Sequence, residues 1–282
     1  MIIISPSGQD DTAVINQALS SNRYVELTSG DFIISNSLLL DLKGNNLKGQ
    51  GKGLTRINAN RIGGDQFTMI VNTGTCTGNY VLDGFSLFSN CQGMNDLLID
   101  VVTKRARGID IIKSNGSIIR NIAVYDTGLR GIGITSSREC LIENCHVENI
   151  GYIPLPNRTD TLWMEKADGN GISLSLCKYS KILNCTGKNV RDLHFTHWAS
   201  VLCETEGCTA QGTMISSATV NTRGAFSIES TGGNNTIKDC IVDNITGDCI
   251  QLTCPRSILK NINYISYQGI NYLMQVTGRI AI

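Results

Sequence analysis

Charge is what this chain has least of. Its 282 residues carry 24 Lys and Arg against 24 Asp and Glu, for a formal net charge of zero, and charged residues make up only 17% of the whole. No face rich in Lys and Arg emerges to neutralise a phosphate backbone, so nucleic acid is not an expected partner. Long apolar runs are missing too. The longest, such as SLLLDL from Ser37, are far too short to span a bilayer, and no membrane segment is expected. The opening MIIISPSGQDD lacks the cationic start and long apolar core of a signal peptide, so no export signal is read there. There are four prolines, two tryptophans and three histidines, few enough that the position of each is informative. The eleven cysteines are an odd number and contain no CxxC pair of the metal-binding kind.

What is present is a ladder. A glycine opens an apolar strand at Gly108, Gly131, Gly171, Gly224, Gly247 and Gly269, with Ala199 (ASVLCE) as the expected rung between Gly171 and Gly224. A second leg runs Asn121-Ile122, Asn144-Cys145, Asn184-Cys185, Gly207-Cys208, Asp239-Cys240 and Asn261-Ile262. Repeats this short, with strand periodicity, mean a stacked solenoid whose units cannot bury a core alone. The fold class expected is all-β: a single-stranded right-handed parallel β-helix of about 23 residues per coil. Handedness follows the general preference of parallel crossovers. Cys145, Cys185, Cys208 and Cys240 return at one point of the coil, which fits reduced, buried thiols better than bridges and implies synthesis in a reducing cytosol.

Residues 1–35 read as strand, helix, strand, with a capping helix over 10–20 whose Val14, Ile15, Ala18 and Leu19 share a face and whose N-cap is Asp10 or Asp11 with Thr12. Residues 36–282 continue as coils of the same domain. Spacing along the second leg is 23, 40, 23, 32 and 22 residues, so an insertion is expected at 151–170 and a smaller one between Cys208 and Asp239. The larger holds two of the prolines and Trp163, the composition of a groove wall.

The segments DDTAVINQAL, RYVELTSGDFIIS, LKGQGKGLTRI, IIRNIAVYDTGLRGIGIT, IENCHVENIG and GNGISL resemble the pectate lyase superfamily of right-handed parallel β-helices, and within it the bacteriophage tailspike and appendage proteins. The resemblance implies a groove facing a polysaccharide, a homotrimer, and use on a virion tail or outside the cell. It implies no activity by residue, since this fold hosts lyases, hydrolases, epimerases and adhesins. The polygalacturonase NTD, DD, GHG and RxK set, the pectate lyase WxDH and the epimerase DPHD are all missing. The C-terminal LMQVTGRIAI shows no trimerisation or lectin module, as expected of a piece of a longer spike.

Candidate chemistry gathers near one stretch. Aligning ASVLCE with GAFSIE puts Glu204 beside Glu229 on adjacent coils, about 4.8 Å apart at the backbone, with both carboxylates outward. Such a pair suits the acid and nucleophile or base of glycoside hydrolysis. Just before Glu204, VRDLHFTHWAS concentrates His194, Phe195, His197 and Trp198, and Arg223 takes the matching position one coil on. An aromatic face edged with hydrogen-bonding groups suits a sugar ring. His197 with Arg223 would serve elimination as an alternative. Asp168 is a possible third carboxylate, Trp163 and Arg130 further contacts. The acids of the insertion lack EF-type spacing, so no metal or cofactor is expected, and His146 reads as structural. Two functions stand: a polysaccharide depolymerase, hydrolase or lyase, and a non-catalytic glycan adhesin or virion protein.

Overall fold

The computed structural model describes residues 1–60, 67–88, 106–151, 169–213, 224–245, 249–254 and 256–267. Their strands form two parallel sheets, one of seventeen strands and one of eight. A coil contributes one strand to the smaller sheet and two short ones to the larger, as in Ile132–Thr135 followed by Leu141–Glu143 and His146–Ile150. This is the expected parallel β-helix.

Period-two alternation sends one set of side chains inward on every strand. Ile109, Ile132, Ile172, Phe195, Phe226 and Ile250 stack in register as one core column. Ile111, Ile134, Leu174, His197, Ile228 and Leu252 form the next. All of these are buried, each apolar member contributing about 1.5–3 kcal/mol by leaving water. Across the coil, the larger sheet supplies Ile119, Ile142, Ile182, Thr205, Ile237 and Leu259.

The second leg of the ladder has a conformational cause. Asn121, Asn144, Asn184, Gly207, Asp239 and Asn261 all have φ between 51° and 64°, the left-handed region that Gly, Asn and Asp enter most cheaply. Asn121, Asn144, Asn184 and Gly207 each separate two short strands, while Asp239 and Asn261 bend a single long one, Thr236–Ile245 and Ile258–Tyr267. The residue that follows is Cys145, Cys185, Cys208 or Cys240 in four coils, all buried and unbridged. Cys145 N–H donates to Cys185 Sγ (3.4 Å), and Cys185 N–H to Cys208 Sγ (3.4 Å). A parallel left-handed column, Asp126, Asn149, Asn189, Gly212 and Asn244, turns the chain out of the larger sheet.

The helix spans Thr12–Ser21 and closes the open end with Ile15, Ala18 and Leu19. Val14 is off the expected face and 45% exposed, because Thr12, Ile15 and Ala18–Leu19 define the buried stripe. Asp11 is the N-cap residue, but its carboxylate accepts from Ser7 N and Ile33 N instead of the helix; Asp10 Oδ1 takes Thr12 N at 2.9 Å. Among the described residues no helix is long and apolar enough to cross a membrane.

Most of the expected insertion, 152–168, lies outside the described residues, yet its ends are informative. A Cβ on Gly151 would lie 2.9 Å from Gly169 Cα and 2.9 Å from Arg191 Cβ, so the two ends touch over the Arg191 stem. Across the insertion the register is unbroken, Ile132 opposite Ile172.

Candidate functional site

The outward positions of the eight-stranded sheet form a polar face unlike the rest of the shaft. Asp110, Gly133, Ser173, Thr196, Ser227 and Gln251 follow one another in register. Although they point away from the core, Asp110 is only 5% exposed, and Ser173, Thr196 and Ser227 are also buried. Thr196 Oγ1 and Ser227 Oγ share a hydrogen bond of 2.6 Å, whereas the Ser173 hydroxyl makes none among the described residues. Small hydroxyl side chains keep this strip low, and of the three the Ser173 hydroxyl alone keeps its hydrogen-bonding capacity uncommitted among the described residues.

One end of the strip is charged. Arg107 Nη1 donates to Asp110 Oδ2 at 2.9 Å, and Arg130 Nη1 lies 3.5 Å from Asp110 Oδ1. The Arg130 side chain reaches Asp110 by lying across Gly133: a Cβ there would stand 2.6 Å from Arg130 Cδ and 2.8 Å from Asp110 Oδ1. The glycine is therefore the space that admits the guanidinium. At the other end, in the neighbouring outward column, Ser175, Trp198 and Glu229 are in register, and Trp198 is 47% exposed.

Several residues singled out from the sequence stand elsewhere. Phe195 points into the core and stacks on Phe226 with ring centroids 5.2 Å apart. His197 is an inward residue too, its Nε2 2.9 Å from Thr205 Oγ1, and burial pulls its pKa down to about 4. It is a neutral core residue that cannot reach a substrate outside the coil. His194 is buried between two carbonyls, Nδ1 3.1 Å from Gly224 O and Nε2 2.9 Å from Gly212 O. Burial lowers its pKa against the opposing pull of those carbonyls, and a neutral ring donates to only one of them.

Glu204 and Glu229 are not a pair. Glu204 opens a strand of the seventeen-stranded sheet opposite Lys181 and Thr236, while Glu229 ends a strand of the eight-stranded sheet opposite Trp198. The strand that truly neighbours GAFSIE is LHFTHW; Ala199 has φ 49° and belongs to the corner after it. Lys238 Nζ, 2.7 Å away, with Lys181 further off, holds the Glu204 carboxyl below its ordinary range, so it stays ionised and is no proton donor. Trp198 and Arg130 do lie on the outward face. Asp168, Trp163 and Arg223 fall outside the described residues.

Asp110 and the hydroxyl column were not expected. The signal was in GIDII, where an acid takes the outward position that the next coils give to Gly133, Ser173, Thr196 and Ser227. The described residues hold no cluster of His, Cys, Asp and Glu suited to a metal ion.

No family model and no curated protein matches the chain. Solved structures share its fold. An alginate lyase from Paenibacillus sp. str. FPU-7 superposes with a TM-score of 0.60 at 15% identity, over 93% of this chain and 95% of that one. The catalytic unit of a GH87 alpha-1,3-glucanase from Streptomyces thermodiastaticus strain HF3-3 gives 0.63 at 15% identity, over 89% of this chain and 44% of the other. PfbA, a surface adhesin of Streptococcus pneumoniae, gives 0.55 at 12% identity, over 93% and 79%. At such identities the likeness shows the right-handed parallel β-helix, and function has to be argued from this chain's own site.

Proposed function

We propose that this protein binds a polysaccharide lengthwise on the outer face of its eight-stranded sheet. The observation that carries this reading is the strip itself: a shielded column of hydroxyls with the Arg107–Asp110–Arg130 cluster at one end and the exposed Trp198 at the other. Sugar rings need an apolar platform and convergent polar groups, and Trp198 with Ser175 and Glu229 supplies both. From Asp110 to Ser227 is four strand steps, about 19 Å at 4.8 Å each, room for a short oligosaccharide. Arg107 and Arg130 set two guanidinia beside Asp110 at this end, donors of the kind that meet sugar hydroxyls or carboxylates. Solved structures of this fold include both enzymes that act on polysaccharides and an adhesin.

Cleavage is the second reading, and the position of Asp110 favours elimination over hydrolysis. Hydrolysis requires two carboxylates roughly 5–9.5 Å apart, and the described strip separates Asp110 from Glu229 by four strand steps. Elimination requires a cation against the substrate carboxylate and one base, roles open to Arg130 or Arg107 and to Asp110. The tailspike resemblance adds a homotrimer working on a virion tail or outside the cell, and sedimentation equilibrium tests the trimer. Calorimetry with acidic and neutral bacterial polysaccharides, followed by reducing-end and ultraviolet assays for unsaturated product, tests the rest. If no polysaccharide binds, or if Trp198→Ala and Arg130→Ala bind like the parent, the groove is elsewhere.

A further inference from the structure

The seventeen-stranded sheet carries a concavity of its own, a trough of about 200 Å³ over the first coils. Two outward columns form it. Tyr24, Asn46 and Val81 are in register along one wall, with Tyr24 51% exposed, and Glu26, Lys48, Asp83 and Arg120 run along the other.

The second wall alternates in sign, and only half of it is satisfied internally. Arg120 Nη2 pairs with Asp83 Oδ2 at 3.0 Å. Glu26 and Lys48 are neighbours on adjacent strands, yet neither makes an ion pair or side-chain hydrogen bond among the described residues. The Asn46 amide and the Tyr24 hydroxyl are likewise uncommitted there. An ammonium, a carboxylate, an amide and a phenol therefore keep their donors and acceptors around one exposed aromatic ring, with Val81 as the apolar end of its wall.

We infer that this trough is a binding site for a neutral pyranose, stacked on Tyr24 and hydrogen-bonded by Asn46, Lys48 and Glu26. The apolar ring suits the C–H face of a sugar. The mixture of donors and acceptors suits hydroxyls, which are both. The side-chain charges of Glu26 and Asp83 balance those of Lys48 and Arg120. The site is independent of the strip on the eight-stranded sheet, and neither reading depends on the other.

Saturation-transfer NMR on the full chain, with methyl glycosides of glucose, galactose, mannose and N-acetylglucosamine and a methyl uronide for comparison, tests it. At least one neutral glycoside should show transfer, with affinity falling about tenfold in Tyr24→Ala, as for loss of one aromatic contact. Tyr24→Phe keeps the ring and should retain the sugar, Lys48→Met should weaken it, and Glu204→Gln, on the same sheet but outside the trough, should leave it unchanged. Tyr24 is exposed, so its variants should melt with the parent. The site is disproved by absence of transfer from every neutral glycoside, or by an affinity that Tyr24→Ala lowers no more than Glu204→Gln does. Preference for the uronide overturns the neutral class.

Discussion

Nε2 of His197 lies 2.9 Å from Oγ1 of Thr205, and the two side chains meet inside the coil at positions that every neighbouring coil fills with Ile or Leu. One polar residue is tolerated because the same coil supplies the other. Thr205→Val should strand the imidazole and cost about 1–3 kcal/mol. The double variant His197→Leu with Thr205→Val should recover most of that loss, because both columns are then apolar throughout. Denaturant unfolding of the four proteins of this cycle decides it, and a double variant as unstable as the worse single one would refute the pairing.

Stability should also depend on pH through this residue. The folded pKa of about 4 lies below the ordinary 6.5, so the neutral ring is the form the fold favours. Its contribution is complete above pH about 6.5 and is lost as pH falls towards 4, by an amount on the order of 3 kcal/mol. His194, also lowered by burial, acts in the same direction. Unfolding free energies from pH about 7 to 4 should therefore decline less steeply in His197→Leu than in the parent.

On the outward face, Trp198→Ala should reduce polysaccharide affinity by about 1–3 kcal/mol, while Glu204→Gln, on the other sheet, should leave binding and any turnover unchanged. Asp110→Asn should loosen Arg107 and Arg130, which lie against its carboxylate, and alter polysaccharide binding. Equal sensitivity at Glu204 would return the site to the seventeen-stranded sheet. Titration calorimetry of the three variants gives the answer.

The ladder thiols should be inert in the native protein. Burial pushes the Cys145 and Cys185 thiols well up from their ordinary range, and the thiolate is the reactive form. A thiol reagent should label them only as fast as the protein unfolds, and Cys185→Ala should cost about 1–2 kcal/mol in packing. Rapid labelling of Cys145 or Cys185 without unfolding would contradict the arrangement.

How legible all this was varied with the physics behind each residue. The Asn, Gly and Asp of the second leg could be read because a left-handed corner restricts residue choice in every coil. The glycine leg fails at two coils, where His194 and then Ala225 take the position in register and Gly224 stands one residue early; at the first the reason is steric. In that corner Gly131 accommodates Val147, whose Cγ1 a Cβ would meet at 3.0 Å. Val147 is opposite Gly187, where the ring of His194 takes up the room instead, with Cδ2 2.9 Å from where a Cβ would be. The glycine has moved to the facing strand, so LHFTHW does not read as a rung and the ladder continues from Ala199 instead. That single slip turned His197 and Phe195 outward and brought Glu204 beside Glu229. Asp110 is not legible from the sequence, since an acid on a strand ordinarily means a solvated edge, and the arginine lying over Gly133 shows otherwise.

The touching ends at Gly151 and Gly169 predict that residues 152–168 can be removed and the ends rejoined through one or two residues. The shortened chain should unfold within about 1 kcal/mol of the parent, since loop length adds little. Circular dichroism and denaturant titration measure this, and collapse of the β signal would show that the segment is needed for folding.

That junction also settles a matter of parity. In a chain whose side chains alternate in and out, an inserted stretch with free ends would risk delivering the next strand one residue out of phase and exchanging its wet and dry faces. Because the stretch departs and returns at a single point, its length drops out of the count, whether odd or even. Variation there can change what the shaft meets without turning Ile172 to solvent or Ser173 to the core.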